Sequence, residues 1–257
     1  MKPPMMMMGS GIDDDGVCPL CHGRGWMFID YNTVKECECG LIEKQRQESK
    51  LKFASIPETY KDVKLKDFTL KYYSQEQKTD AKTIIEVVKF WLENKDKMTE
   101  NGKGLYFWSE TKGSGKTMLA AAIANELITT HKEFVKFATS LDILDEIRAS
   151  YNHRFDDEYE DESKLLKDLT TVKYLVIDDF GTEKVTDWVG EKFYQIVNKR
   201  YINKKVTFFT SNYDLMKLEY DSRIQNRIRE RSYLVHFPEE SVRELKARQE
   251  NNYETHI

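Results

Sequence analysis

The sequence predicts an α/β fold, a parallel sheet flanked by helices, with a small metal-binding module ahead of it. Three observations predict this. Apolar, strand-like runs alternate with helix-like segments from 104 to 237, the pattern of parallel strands joined by helical crossovers. A glycine-containing turn, Thr111-Lys-Gly-Ser-Gly-Lys-Thr117, separates one such strand from an alanine-rich helix. All four cysteines fall within the first 40 residues, ahead of the alternating region.

Length and composition bound the rest. The 257 residues suffice for one main domain and a small module. Hydrophobic residues make up 40% and charged residues 33%, enough for a core under a charged surface. No apolar run approaches the ~18 residues of a membrane span, so no membrane partner is expected. A net charge of −4 gives no general attraction to nucleic acid, and any such contact must come from a local patch. Residues 1–16 read as a disordered leader. Its apolar part, Met5 to Met8, is too short for a secretion signal and runs into Asp13-Asp-Asp15. A cytoplasmic location follows from this reading.

Residues 17–40 carry Cys18, Cys21, Cys37 and Cys39, spaced C-x2-C, fifteen residues, then C-x-C. The first pair places two thiolates on one side of a tight turn. Trp26 to Ile29 is expected to form one arm of a hairpin that returns the second pair. Four thiolates complete a tetrahedral Zn²⁺ shell with no open position, so the site is expected to be structural. In so small a segment the metal supplies most of the folding free energy, about 10–16 kcal/mol in comparable peptides. Ordinary reduced cysteines and a redox pair are the alternatives, and no thioredoxin-like pattern surrounds Cys18 and Cys21.

Residues 41–70 read as a linker whose charged first part, Leu41 to Phe53, is helix-prone, and in which Val63, Leu65 and Phe68 are apolar enough to dock on the next domain. The main α/β domain is expected over 71–257. Thr79 to Leu92 holds Ile84, Ile85, Val88, Trp91 and Leu92 at helical spacing, a core-facing stripe. The run from Leu105 to Ser109 is a strand, and the turn after it suits a nucleoside triphosphate. Its N–H groups point at phosphate oxygens, and the next helix adds its positive end. Gly113, Ser114, Gly115, Lys116, Thr117 and Met118 form the phosphate-binding set. Lys116 reaches the β- and γ-phosphates, and the Thr117 hydroxyl binds Mg²⁺. One position departs from the G-x-x-x-x-G-K-[ST] pattern: Glu110 stands where the first glycine belongs. Its carboxylate would repel phosphates unless it points away or is paired, and Lys112 is the expected partner.

Thr117 to His131 is expected to be helical, Phe134 to Ala138 a strand and Leu141 to Tyr151 a helix. An acidic run over 156–162 reads as solvated, and a short helix follows at 163–169. Tyr174-Leu-Val-Ile-Asp-Asp-Phe-Gly181 is a buried strand delivering two carboxylates at its C-terminal end, where parallel sheets place ligands. Asp178 is expected to hold Mg²⁺ and Asp179 to polarise the attacking water. The helix 188–202, the strand 206–212 ending at Asn212, the arginine-rich helix 222–231, the strand 233–237 and a short basic helix, 241–249, complete the chain. Asn212 is placed to hydrogen-bond the attacking water or the γ-phosphate.

Four stretches together resemble the bacterial and phage replicative-helicase loaders of the DnaC/DnaI type, which are AAA+ ATPases. They are Gly113-Ser-Gly-Lys-Thr-Met-Leu-Ala120, Tyr174 to Glu183, Phe209-Thr-Ser-Asn212 and Arg223-Ile-Gln-Asn-Arg-Ile228. Ala54-Ser-Ile-Pro-Glu-Thr-Tyr60 resembles the lead-in to that ATPase domain, and the cysteine module resembles the helicase-contacting zinc module of the DnaI side. The resemblance implies that Asn212 is the sensor-1 residue. It makes Arg227, with Arg223 second, the arginine finger reaching a neighbouring subunit's nucleotide, so hydrolysis depends on homo-oligomeric assembly. It implies a replicative helicase as partner of the zinc module, single-stranded DNA as ligand, and ATP, Mg²⁺ and Zn²⁺ as bound groups. Lys136, Lys164 and Lys167 are candidate DNA contacts. Asp179, where many AAA+ enzymes have glutamate, suggests slow turnover. No C-terminal helical lid is expected after Phe237. A transposase-helper ATPase of the same fold and a nucleotide-binding adaptor with little hydrolysis remain as alternatives.

Overall fold

Five parallel strands form the sheet, in the order β4-β5-β6-β3-β7. They are β3 (Gly104–Trp108), β4 (Val135–Thr139), β5 (Tyr174–Asp178), β6 (Val206–Ser211) and β7 (Ser232–His236). A computed structural model describes residues 17–152 and 166–254. The leader, the acidic run 156–162 and Lys164 lie outside the described residues. The chain divides into two compact units, one up to Lys52 and one from Phe53.

The strands β3 and β5 are apolar and buried along almost their whole length, as a sheet covered on both faces requires. Alternation sends successive side chains to opposite faces. On one face Tyr106, Leu175, Ile177 and Phe209 join a core with Ile143, Phe193 and Ile224 from three helices. On the other face Trp91 meets Phe208 edge-on at 4.9 Å and Tyr174 at 6.3 Å. Trp91 belongs to the helix Lys78–Glu93, whose buried residues are Ala81, Ile84, Val88 and Trp91. Its indole N–H, which burial would otherwise orphan, donates to Lys103 O at 2.8 Å.

Arg200 is buried at the C-terminal end of the helix Asp187–Ile202. Its guanidinium donates to Leu169 O, Val172 O, Val206 O and Thr207 Oγ1 at 2.5–2.9 Å. It thereby ties the segment entering β5 to the start of β6, the two strands that carry the acids and Asn212 towards their far ends. The sequence marks Arg200 only as a helix-face residue.

The stretch read as a linker is folded, and its helix-prone first part is helical as expected. Residues Leu41–Ala54 form a helix, and three single-turn 3₁₀ helices follow between Glu58 and Tyr72. This second part belongs to the sheet unit. Asn125 Nδ2 donates to Tyr60 O and Val63 O, both at 2.9 Å. Phe68 is buried, 5.9 Å from the rings of Tyr73 and Phe237. Aromatic anchors and satisfied backbone carbonyls hold it down, which a free linker lacks.

In the first unit, β1 (Trp26–Phe28) and β2 (Val34–Glu36) form an antiparallel hairpin. Cys37 N donates to Gly25 O at 2.8 Å, closing the hairpin over the first cysteine turn. Arg46 pairs with both oxygens of Glu36. Phe28, Ile29, Tyr31 and Val34 lie exposed on the hairpin. No helix among the described residues is long and apolar enough to cross a membrane.

Candidate functional site

A cleft of about 420 Å³ opens at the C-terminal ends of the strands, lined by Lys112 to Met118, Asp179, Thr182 and Asn212. The turn after β3 builds its floor. Gly115 caps the helix Lys116–Thr129 at φ 97°. That left-handed conformation suits glycine, and a Cβ there would lie 3.2 Å from the Phe68 ring. The Tyr73 hydroxyl donates to Ser114 O at 2.8 Å and holds the turn from below. The helix therefore presents its unpaired N–H groups and positive dipole end to the cleft.

Lys116 is buried, and its ammonium donates to Ser109 O (3.2 Å), Thr111 O (3.0 Å) and Ser114 Oγ (3.2 Å). Burial pushes its pKa down to about 8, while the carboxylates of Asp179, Glu239 and Asp178 pull it upward. Asp178 is buried at the end of β5. Burial raises its carboxyl to about 6, a donated Thr210 hydroxyl opposes that, and the charge of Asp179 adds to it. The Thr117 hydroxyl lies near enough to Asp178 to draw it down as well, so the two residues expected to hold Mg²⁺ are neighbours.

Asp179 adopts φ 52°, rare for a side-chain-bearing residue. Its N–H donates to Thr210 Oγ1 at 2.9 Å, and its carbonyl accepts from Ser140 Oγ and Thr182 Oγ1. Those bonds hold the turn that places the residue on the cleft wall. The next acid, Glu183, is buried and accepts from Ser140, Tyr220 and the Gly181 N–H.

Sequence reasoning missed several residues here. Tyr60, Val242, Arg243 and Lys246 also line the cleft. The last three belong to the helix Val242–Glu254, the basic helix read at 241–249, which was not expected to line the site. Its basic character was the available signal. Thr210 was readable only as a polar residue at the end of an apolar strand. Glu110 does not pair with Lys112: its carboxylate meets Lys217 Nζ at 2.5 Å, with both side chains more than half exposed.

Arg227 lies away from the cleft. It donates to Asn198 Oδ1 (2.9 Å) and Arg223 O (2.9 Å), and sits over the rings of Tyr194 and Tyr201. Arg223 pairs with Asp221 at 3.0 Å. The Lys136 ammonium is turned to Phe53 O and Ser55 Oγ, so within the chain it secures the start of the sheet unit. Lys167 lies in helical backbone at 166–171.

In the first unit the four cysteine sulfurs lie within 4.8 Å of one another. Cys18–Cys37 and Cys21–Cys39 are each 3.7 Å apart. A tetrahedron with Zn–S bonds of about 2.3 Å has edges of about 3.8 Å, so the thiol set fits that ion.

Comparison with known proteins adds the following. The family model described as "IstB-like ATP binding protein" matches residues 29–248. The replicative helicase loader DnaI of Bacillus subtilis (strain 168) is 32% identical over 123 residues, 48% of this chain and 37% of that protein. The replicative helicase loader DnaC of Escherichia coli (strain K12) is 32% identical over 126 residues, 48% of this chain and 49% of that protein. The match therefore spans half or less of these relatives. Among solved structures, a crystal structure of DnaI superposes with a TM-score of 0.56 at 24% identity, covering 72% of this chain and 95% of that one. That likeness shows that the two chains share a fold.

Proposed function

The chain belongs to the family of IstB-like ATP binding proteins, and we propose that it is an ATP-driven loader of a replicative ring helicase onto single-stranded DNA. The observation that carries the ATPase half is the convergence of Lys116, Thr117, Asp179 and Asn212 on one cleft, with Asp178 beside Thr117 behind it. Lys116 and the helix N-terminus take the phosphates. Thr117 and Asp178 would hold Mg²⁺, which would supply positive charge against the phosphates. Asp179 polarises the attacking water and Asn212 orients it or the γ-phosphate. Arg227 serves a neighbouring copy's nucleotide in the assembled homo-oligomer; within one chain it bonds Asn198 and lies over the rings of Tyr194 and Tyr201.

The helicase half rests on the relatives' names, and the cysteine module supports it. Cys18, Cys21, Cys37 and Cys39 hold Zn²⁺, which when bound cross-links the two ends of the hairpin segment. The exposed Phe28, Ile29 and Tyr31 offer the helicase an apolar contact. A transposase helper of this fold would need no such module. The adaptor reading loses its motive, because the Glu110 carboxylate is engaged by Lys217.

ATP turnover with and without single-stranded DNA, in the parent and in Lys116→Ala, tests the proposal. The parent is expected to turn over ATP and Lys116→Ala to fall by at least about 100-fold, the cost of an electrostatic phosphate contact. Equal, negligible rates sink the ATPase half. Capture of purified replicative helicase by the full chain, lost when Cys37 is replaced by serine, tests the other half.

A further inference from the structure

The phosphate loop lacks its opening glycine, and a carboxylate from elsewhere in the chain stands against that position. The Glu110 N–H donates to Glu239 Oε1 at 3.1 Å, and the Thr111 N–H to Glu239 Oε2 at 2.7 Å. Ser109 Oγ donates to the same Oε2 at 3.0 Å. Glu239 lies just past β7, the neighbour of β3 in the sheet. Around it Phe237 N donates to Trp108 O at 2.8 Å and Arg243 N to Gly113 O at 3.3 Å. Residues 237–243 therefore run along the outside of residues 108–113. A Cβ at Gly113 would meet Ser241 Oγ at 2.9 Å and Arg243 Cβ at 3.0 Å, which shows how close the two segments lie.

The same loop residues hold the lysine. Lys116 donates to the carbonyls of Ser109 and Thr111, and each of these two residues is bound to Glu239 through another group. Moving Glu239 moves both carbonyls. Glu110 itself has no left-handed φ, and its side chain leaves towards Lys217. Freedom of the backbone at 110 is therefore not what shapes this loop.

We propose that Glu239 is a positioning residue of the nucleotide site, whose carboxylate holds residues 109–111 in the shape that presents Lys116 to phosphate. It takes over the task of the absent glycine by bonding the loop instead of loosening it. This rests on reading the cleft as an ATP site. Hydrogen bonds to a carboxylate are about twice as strong as neutral ones, so one side chain suffices for three donors. The carboxylate stays ionised: burial pushes it up, but bonds from His236, Thr111 and Glu110 outweigh that and bring it down to about 2. The His236 ring, 2.8 Å away through Nε2, lies against Trp108 at 4.1 Å and steadies the carboxylate in turn.

The test is equilibrium titration of the full chain with fluorescently labelled ADP and ATP, alongside thermal unfolding of the nucleotide-free protein. Glu239→Ala is expected to raise Kd about 10- to 100-fold, the loss of one or two net charge-assisted bonds. The factor should be the same for ADP and ATP, because the loop serves the phosphates both share. Turnover at saturating ATP should change less than Kd. Glu239→Gln, which keeps an acceptor for Thr111, should recover part of the affinity, and it is the variant to read if Glu239→Ala unfolds. Lys217→Ala should bind like the parent. Parental affinity in Glu239→Ala or Glu239→Gln overturns the proposal, as does an equal loss in Lys217→Ala. A parent chain that binds neither nucleotide overturns the ATP reading of the cleft itself.

Discussion

Thr210→Val removes one hydroxyl and keeps the side chain's shape. In the structure that hydroxyl donates to Asp178 Oδ1 and accepts the Asp179 N–H at 2.9 Å. Asp178 is 4% exposed, and burial has already raised it to about 6 against the pull of the Thr210 bond. Without the bond the ionised form loses a partner in a dry site. A hydrogen bond to a charged group contributes about 1.5–3 kcal/mol, or about one to two pKa units at 1.4 kcal/mol each. The carboxyl midpoint should therefore move to about 7–8. The sign for stability follows from linkage. The folded midpoint lies above the ordinary 3.8, so Asp178 favours folding below that value and the advantage is lost as pH rises through 6. At pH 8 the substitution strips a bond from a charge and orphans the Asp179 N–H, an expected loss of about 2–4 kcal/mol. At pH 5 the acid is protonated in both proteins, and only the orphaned N–H remains, about 1–2 kcal/mol. Urea unfolding of parent and variant at the two pH values measures the difference. Equal losses at both, or a loss under about 0.5 kcal/mol at pH 8, the scale of an ordinary surface change, would refute the reasoning.

Three further outcomes are expected. Arg200→Met, at a side chain 1% exposed, withdraws donors from three carbonyls and one hydroxyl, and urea unfolding should register a loss of about 3–6 kcal/mol; under about 1 kcal/mol would mean that water replaces the guanidinium freely. Gly115→Ala must hold a left-handed φ against the Phe68 ring; it should cost about 1–3 kcal/mol in thermal unfolding and abolish labelled-nucleotide binding, and parental binding would count against the turn geometry. Elemental analysis should find one zinc per chain, and a chelator should unfold the first unit while shifting the thermal transition of the second by less than about 2 °C, under about 1 kcal/mol; a folded, metal-free first unit would remove zinc from the account.

What could be read in the sequence was what neighbours in sequence encode. The strand, turn and helix around Lys116 lie within about twenty-five residues, and turn chemistry alone orders them. Asp178 and Asp179 were legible because an apolar run ended in two acids. The four cysteines gave a spacing that the sulfur distances match. Residues that work across the sheet escaped. Glu239 stands 129 residues from Glu110, and only the pairing of β7 with β3 puts them side by side. Thr210 depends on the β5–β6 register, and Arg200 on a groove between two strands and a helix. The order β4-β5-β6-β3-β7 is a property of the whole chain, with no local residue pattern that announces it. Had β7 been placed beside β3, the acid following it would have been an immediate suspect. In 41–70 the apolar Phe68 was legible as a docking residue, but its seat against Tyr73 and Phe237 depends on the turn those rings support.

The position of β7 beside β3 has a consequence for the timing of biosynthesis. The phosphate loop, the Asp178-Asp179 pair and Asn212 are all made before β7 exists, yet Val242, Arg243 and Lys246 line the same cleft. At about 5–20 residues per second, the ribosome needs about 2–7 s more after Asn212 to supply Lys246. Through that interval the nascent chain carries the motif without the finished cleft. A message cut short in its last seventh would yield a protein that still displays the phosphate loop but has lost its β7-side support, so truncated products would enter the cell as weak competitors for nucleotide.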